Sequence, residues 1–275
     1  MKDPINLAPI SAIIPCYQAK GKILRAITSI HHQTLRPKEI IIIDDFSNDG
    51  TLEYLSNIVK KFPEGWIKIV SLSCNQGPAS ARNIGWDAAT QEYIAFLDSD
   101  DTWQREKVEI QYSWMRNNPS VILSAHSCSI FDADRNNTKL TKNDISFFRV
   151  KKNNFLYLNP FSTISVMLKR DIAFRFKNGK RFSEDYHLWL DIAFSGVPCY
   201  KTETVMAFIH KPPYGVSGLS SNLWQMEKGE LDCYWNLYKE RKISLSNLST
   251  ASSLSIAKFI KRLLLFKFIN SKIYK

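Results

Sequence analysis

Short apolar runs alternate with stretches of helical spacing along the first half of the chain. Residues 10–14 (ISAII) form a continuous apolar run stopped by Pro15, which predicts a buried strand, and Ile23, Leu24, Ile27 and Ile30 recur at helical intervals over 22–34. The run EIIII at 39–43 is β-branched and apolar on both faces, as a central parallel strand must be, and it ends abruptly in Asp44-Asp45. Ser47-Asn48-Asp49-Gly50 supplies turn chemistry and a cap for a helix over 51–61. The cycle then repeats: a strand at 67–72, a loop Cys74–Gly77, a helix over 78–89, and the strand YIAFL at 93–97. That strand runs into Asp98-Ser99-Asp100-Asp101, and a helix over 104–117 follows. Beyond residue 120 the character changes to mixed strands (121–131, 162–168, 197–209) around one strong helix (184–195), with a Lys/Asn-rich stretch at 134–154 that reads as a mobile loop. The alternation predicts an α/β fold, a mostly parallel Rossmann-like sheet flanked by helices, with a C-terminal α+β portion.

Composition narrows the class. A chain of 275 residues, 44% hydrophobic and 23% charged, has enough apolar chain for a packed core. No apolar run approaches the ~18–20 residues of a membrane-spanning helix. The N-terminal apolar run is broken by Asp3, Pro4, Asn6 and Pro9 and lacks a small-residue cleavage site, so no secretion signal is expected and the chain is expected in the cytoplasm. Five widely spaced cysteines (Cys16, Cys74, Cys128, Cys199, Cys233) fit neither a disulfide framework nor a zinc site.

The formal charge of +11 is uneven: residues 241–275 carry eight basic groups and no acid, while the rest of the chain holds 29 basic and 26 acidic groups. A near-neutral body with a basic end argues against nucleic acid as a partner and for a localised anionic surface. Within the tail, Ile256, Phe259, Ile260, Leu263 and Leu264 fall at i, i+3, i+4, i+7 and i+8, with Lys258, Lys261 and Arg262 on another face. That pattern predicts a basic amphipathic helix, suited either to the headgroup region of an anionic membrane or to docking on the domain.

The aspartates carry the chemistry. In open α/β sheets ligands bind beyond the carboxyl ends of the strands, and two strands deliver carboxylates there: Asp44 and Asp45, then Asp98, Asp100 and Asp101. Converging carboxylates repel one another unless something positive is present, and an all-oxygen set suits Mg²⁺ or Mn²⁺ completed by substrate phosphates. The bland alternative is that each aspartate caps a helix. The loop Cys16–Gly21 lacks GxGxxG, and no GxxxxGK[ST], GxSxG or HExxH occurs, which excludes the corresponding dehydrogenase, NTPase and hydrolase readings.

The segments IIPCYQ (13–18), QTLRPKEIIIIDDFSNDGT (33–51), NQGPASARN (75–83) and YIAFLDSDDTW (93–103) together resemble glycosyltransferase family 2, and SEDYHLWLDIAFSG (183–196) extends the likeness to an acidic helix. The resemblance implies a GT-A fold, an activated nucleotide-sugar donor, most often a UDP-sugar, a divalent metal (Mn²⁺ or Mg²⁺), and inversion at the anomeric carbon. Position by position it implies that Pro15 and Tyr17 frame the base pocket, that Asp45 hydrogen-bonds the base, and that Arg82 lies near the nucleotide. Asp98 would reach the ribose or sugar side, Asp100 would ligate the metal, His210 matches a late metal-ligating histidine, and Asp185 matches the general base. The implied division is a catalytic domain over 1–215, with a donor half (1–105) and an acceptor half (106–215), followed by a basic helical extension over 216–275. Cys16 and Gln18 depart from the family's usual residues, and the segment after His210 is longer and richer in proline than usual. The expected function is transfer of a sugar to a bacterial surface glycan or glycolipid acceptor by an enzyme held at the inner face of the cytoplasmic membrane. A non-catalytic scaffold of the same fold and a sugar nucleotidyltransferase stand as alternatives.

Overall fold

The computed structural model describes residues 6–132, 140–141, 145–211 and 219–273, with side chains described as far as 265. Nine of the positions in the stretch expected to be a mobile loop, 134–139 and 142–144, lie outside the described residues. The first half follows the predicted alternation: β1 (Leu7–Cys16), α1 (Ile23–His31), β2 (Arg36–Asp44), α2 (Thr51–Ile58), β3 (Ile67–Ser71), α3 (Pro78–Ala88), β4 (Tyr93–Phe96) and, after a two-residue β5 (Thr102–Trp103), α4 (Lys107–Asn117). The second half adds β6 (Leu123–Ile130), β7 (Phe148–Val150), α5 (Asn154–Tyr157), β8 (Met167–Lys169), α6 (Glu184–Phe194), β9 (Cys199–Ile209), α7 (Leu223–Lys239) and α8 (Leu245–Ile273).

The nine strands among the described residues join one sheet in the order β3-β2-β1-β4-β8-β6-β9-β5, with β7 on β9. The strands β3, β2, β1 and β4 are parallel, β8 enters antiparallel to both β4 and β6, and β6 and β9 pair parallel. Since β1 has β2 on one side and β4 on the other, chain connections leave it in opposite directions, and the crevice this opens lies at the carboxyl ends of β1 and β4. Pro15 does not stop β1 as expected: the strand continues, with Pro15 and Cys16 opposite Ile43 and Asp44 of β2. Pro15 shares the β4 side with Ile13, whose carbonyl accepts from Leu97, and β4 has ended by that level, so the missing N–H costs no ladder bond.

The pleat divides the core into two layers. Ile13, Ile41 and Ile43 face the layer of α3 and α6, whereas Ile14, Ile40 and Ile42 face that of α1 and α4, which is why the sequence of β2 is apolar at successive positions. A Cβ on Gly85 of α3 would sit 2.5 Å from Ile13 Cγ2, so glycine lets that helix lie directly on the sheet. Cys233, Tyr234, Leu237 and Ala251 place α7 and α8 in the same apolar cluster as α6.

The tail docks and exposes apolar surface at once. Ala251, Ser255 and Phe259 are buried, Arg262 reaches buried Glu227 (3.3 Å), and Lys258 donates to the Tyr157 carbonyl. Two of the three cations expected on an outward polar face therefore turn inward. Ile256, Ile260, Leu264 and Leu265 are exposed instead, as is Lys261. Among the described residues no helix is long and apolar enough to cross a membrane.

Candidate active site

A cleft of about 520 Å³ opens where the carboxyl ends of β1, β2 and β4 meet the start of α6. Its wall includes Pro15, Tyr17, Asp45, Arg82, Asp98, Asp100 and Asp185, seven of the eight residues expected at the site. The eighth, His210, is outside that wall.

Strain borders this cleft. Gln18, Phe46 and Ser183, none of them glycine, have φ of 50°, 63° and 53°, each next to or within the lining. Asp45 Oδ1 and Oδ2 accept the N–H groups of Gln76 (2.7 Å) and Gly77 (2.8 Å), so this carboxylate ties the end of β2 to the loop that starts α3. Arg181 closes the same loop from outside through Asn75 Oδ1 at 2.7 Å. The amino end of α3 consequently borders the cleft with Gly77, whose N–H is taken by Asp45, and Pro78, which has none.

Arg82, on the first turns of α3, is buried and forked: Nη2 holds Asp98 Oδ1 at 2.9 Å and Nη1 holds Glu184 Oε1 at 2.8 Å. The two partners come from opposite halves of the chain, and the guanidinium fork fixes both at once. Flanked by two carboxylates, the guanidinium stays protonated well above its usual range despite burial. Burial drives the Glu184 carboxyl upward, Arg82 opposes this, and Asp185 adds to it, with the result at about 7. Asp185 itself is held by Thr163 Oγ1 on Oδ2 (2.9 Å) and the Tyr186 N–H on Oδ1 (2.7 Å). Ser183 stands at the N-cap position as expected, but its hydroxyl donates to the Met226 carbonyl of α7 (3.3 Å) and accepts no N–H from the helix start.

On the other wall, Asp100 Oδ2 receives the ammonium of Lys211 at 2.8 Å, and the Asp100 carbonyl receives Arg25 at 2.6 Å. Asp101 is turned away and accepts the His210 N–H (3.1 Å), which ties the loop to the end of β9. Burial, with Asp98 and Asp100 adding, lifts the Asp101 carboxyl to about 7. His210 Nε2 contacts Thr102 Oγ1 at 2.9 Å and its ring stacks on Phe131 at 4.4 Å, so the imidazole is engaged beside the loop. Among the described residues no three His, Cys, Asp or Glu side chains form a metal cage. The donor set fits a hard divalent cation completed by phosphates: Asp98 and Asp100 are carboxylates at the cleft wall, and Asp100 already holds a cationic group. Arg181, Lys211, Leu219 and Met226 also line the cleft and were not singled out from the sequence. Isolated basic and apolar side chains carry no local signal of that placement.

The family model described as "Glycosyl transferase family 2" matches residues 11–176. An uncharacterized glycosyltransferase of Haemophilus influenzae is 35% identical over 192 residues, 68% of this chain and 72% of its own. The UDP-Glc:alpha-D-GlcNAc-diphosphoundecaprenol beta-1,3-glucosyltransferase WfgD of Escherichia coli is 32% identical over 184 residues, 66% of this chain and 69% of its own. Among solved structures, mannosyltransferase PcManGT from Pyrobaculum calidifontis, in complex with GDP-Man and Mn²⁺, is similar with a TM-score of 0.65 and 17% identity, covering 100% of this chain and 85% of that one. At that identity the likeness is one of fold.

Proposed function

The chain belongs to glycosyltransferase family 2, and from that premise we propose that it moves a sugar from a UDP-sugar to a hydroxyl of a lipid-linked bacterial surface glycan, with inversion at the anomeric carbon. Membership, with relatives named as glycosyltransferases, makes the chain an enzyme of that class on the GT-A fold, which sets aside the scaffold and nucleotidyltransferase alternatives. The observation that carries the finer reading is that Asp98, Asp100 and the doubly held Asp185 line one cleft. The E. coli relative, whose name gives a UDP-glucose donor and a lipid diphosphate acceptor, supports the choice of donor and acceptor.

In this reading Pro15 and Tyr17 frame the base, and Asp45 holds the base pocket to the loop before α3. Arg82 orients Asp98 toward the ribose. Asp100 would hold the metal, Mn²⁺ or Mg²⁺, which would supply Lewis-acid stabilisation of the leaving diphosphate. His210, whose Nε2 is engaged with Thr102 Oγ1 in this structure, would be its further ligand. Asp185 accepts the proton of the acceptor hydroxyl as that oxygen attacks in line, opposite the leaving group, within hydrogen-bond reach of ~2.6–3.2 Å.

Calorimetric titration with UDP, with and without Mn²⁺, tests the donor site. Binding is expected to need the metal and to weaken on the order of a hundredfold in Asp100→Ala, about the loss of one charge-assisted ligand. Failure of both UDP and GDP to bind with Mn²⁺ present overturns the reading.

The tail gives the acceptor half of the proposal its location, the inner face of the cytoplasmic membrane. Ile256, Ile260, Leu264 and Leu265 form an exposed apolar face, beside Lys261, on a helix anchored by Phe259 and Arg262. Such a face suits insertion at the headgroup boundary of an anionic bilayer. Sedimentation with anionic vesicles at low salt is expected to be lost in Ile260→Glu/Leu264→Glu while UDP binding persists. Unchanged sedimentation removes the membrane from the proposal.

A further inference from the structure

The carboxylates that would hold the metal are not bare in this structure. Lys211 Nζ stands 2.8 Å from Asp100 Oδ2, and the Lys211 side chain, following β9, is drawn by Asp98 and Asp101 as well as Asp100. The contact spans more than a hundred residues of sequence and places the ammonium in the wall of the donor cleft. Arg25 is bound to the Asp100 carbonyl, and Arg82 is occupied on both arms by Asp98 and Glu184 and is buried, whereas the Lys211 side chain keeps 38% of its exposure and a four-carbon stem on which to turn.

We propose that Lys211 is a resident cation of the donor site, holding Asp100 when no metal is bound and binding the donor's diphosphate when Asp100 passes to the metal. The proposal rests on the reading of the cleft as a nucleoside-diphosphate site and adds a residue that the resemblance to the family does not supply. The physical case is one of charge matching. A carboxylate shared between an ammonium and a divalent ion cannot serve both fully, so the two compete for Asp100. Once released, the ammonium is left in the same wall as phosphates that carry negative charge, and that charge grows as the sugar–phosphate bond breaks with its electron pair passing to the phosphate oxygen. A fixed-charge donor there stabilises the leaving group without giving up a proton. Lys211 also brings three rotatable N–H donors, so it can exchange a carboxylate for a phosphate oxygen by side-chain rotation alone.

The test compares the wild-type chain with Lys211→Met and Lys211→Arg in two titrations. In the first, Mn²⁺ alone is titrated into nucleotide-free protein. Lys211→Met is expected to bind Mn²⁺ on the order of tenfold more tightly than wild type because its competitor is gone. In the second, UDP and UMP are titrated in the presence of saturating Mn²⁺. UDP is expected to bind the wild-type chain more tightly than UMP, and Lys211→Met is expected to narrow that preference on the order of tenfold, with Lys211→Arg restoring it. Thermal melting of both variants checks that they fold. Equal Mn²⁺ affinity in wild type and Lys211→Met, or an undiminished preference for UDP over UMP in Lys211→Met, overturns the proposal. Failure of the underlying reading is distinguishable, because the wild-type chain would then bind neither UDP nor GDP even with Mn²⁺.

Discussion

Asp185→Asn is expected to lower kcat by about 10²–10⁴, the range of a lost general base, while UDP affinity with Mn²⁺ stays at the wild-type value. The asparagine keeps the shape of the side chain and can still accept from Thr163 Oγ1 or the Tyr186 N–H, the two bonds that position Asp185, so the loss isolates proton acceptance. Glu184 cannot take over. Its Oε1 is bound to Arg82 at 2.8 Å and its side chain is only 10% exposed, so although it borders the cleft it is already committed to the guanidinium. Donor turnover with a purified lipid-linked acceptor gives kcat, and calorimetry gives the UDP affinity. A variant turning over within threefold of wild type would place the base elsewhere.

The other large effect is on stability. Arg82→Met is expected to destabilise the fold by about 3–5 kcal/mol, chiefly the cost of leaving buried Glu184, and in smaller part half-buried Asp98, without their cation, and to lower the melting temperature by roughly 10 °C. Arg82→Lys should recover little of this, since one ammonium cannot reproduce two arms at 2.8 and 2.9 Å reaching in different directions. The pH dependence gives a sharper readout. Glu184 has a folded pKa raised by burial above its ordinary value, so the folded state holds its proton where the unfolded chain has lost it, and stability falls as pH rises from about 4.5 toward 7. Removing Arg82 takes away the influence that holds this pKa down. The deficit of the variant should therefore be larger at pH 8 than at pH 5, as melting at both values would show. A deficit independent of pH would mean that packing on Phe176, 5.5 Å from the guanidinium, dominates instead.

What the sequence revealed follows from how local each signal is. The run at 39–43 and the aspartates after β2 and β4 are contiguous, and a strand with its terminal loop fixes where those carboxylates emerge, so the places of Asp45, Asp98 and Asp100 are legible in the order of residues alone. Glu184 and Arg82 lie 102 residues apart, and only the return of the chain through α6 brings them together. Lys211 is hidden for the same reason, since β9 carries it to the edge of the aspartate loop after three strands of mixed direction. In α8 the periodicity was legible but its orientation was not. Lys258 and Arg262 read as charge on a face apart from the apolar one, and the Tyr157 carbonyl and buried Glu227 draw them inward while Ile256, Ile260, Leu264 and Leu265 stay exposed.

A Cβ on Gly229 of α7 would lie 2.7 Å from the Phe182 carbonyl oxygen, one residue before Ser183 and three before Asp185. The helix therefore rests backbone to backbone on the segment that presents the base, and Ser183 and Cys233 reinforce that seat. Were α8 to lie on a bilayer as proposed, this contact would act as a ruler that sets the height of Asp185 above the lipid surface. A lipid-linked acceptor would then be selected by how many sugars separate its reactive hydroxyl from its anchor, and a shorter or longer glycan would be refused by reach before its sugar identity is read.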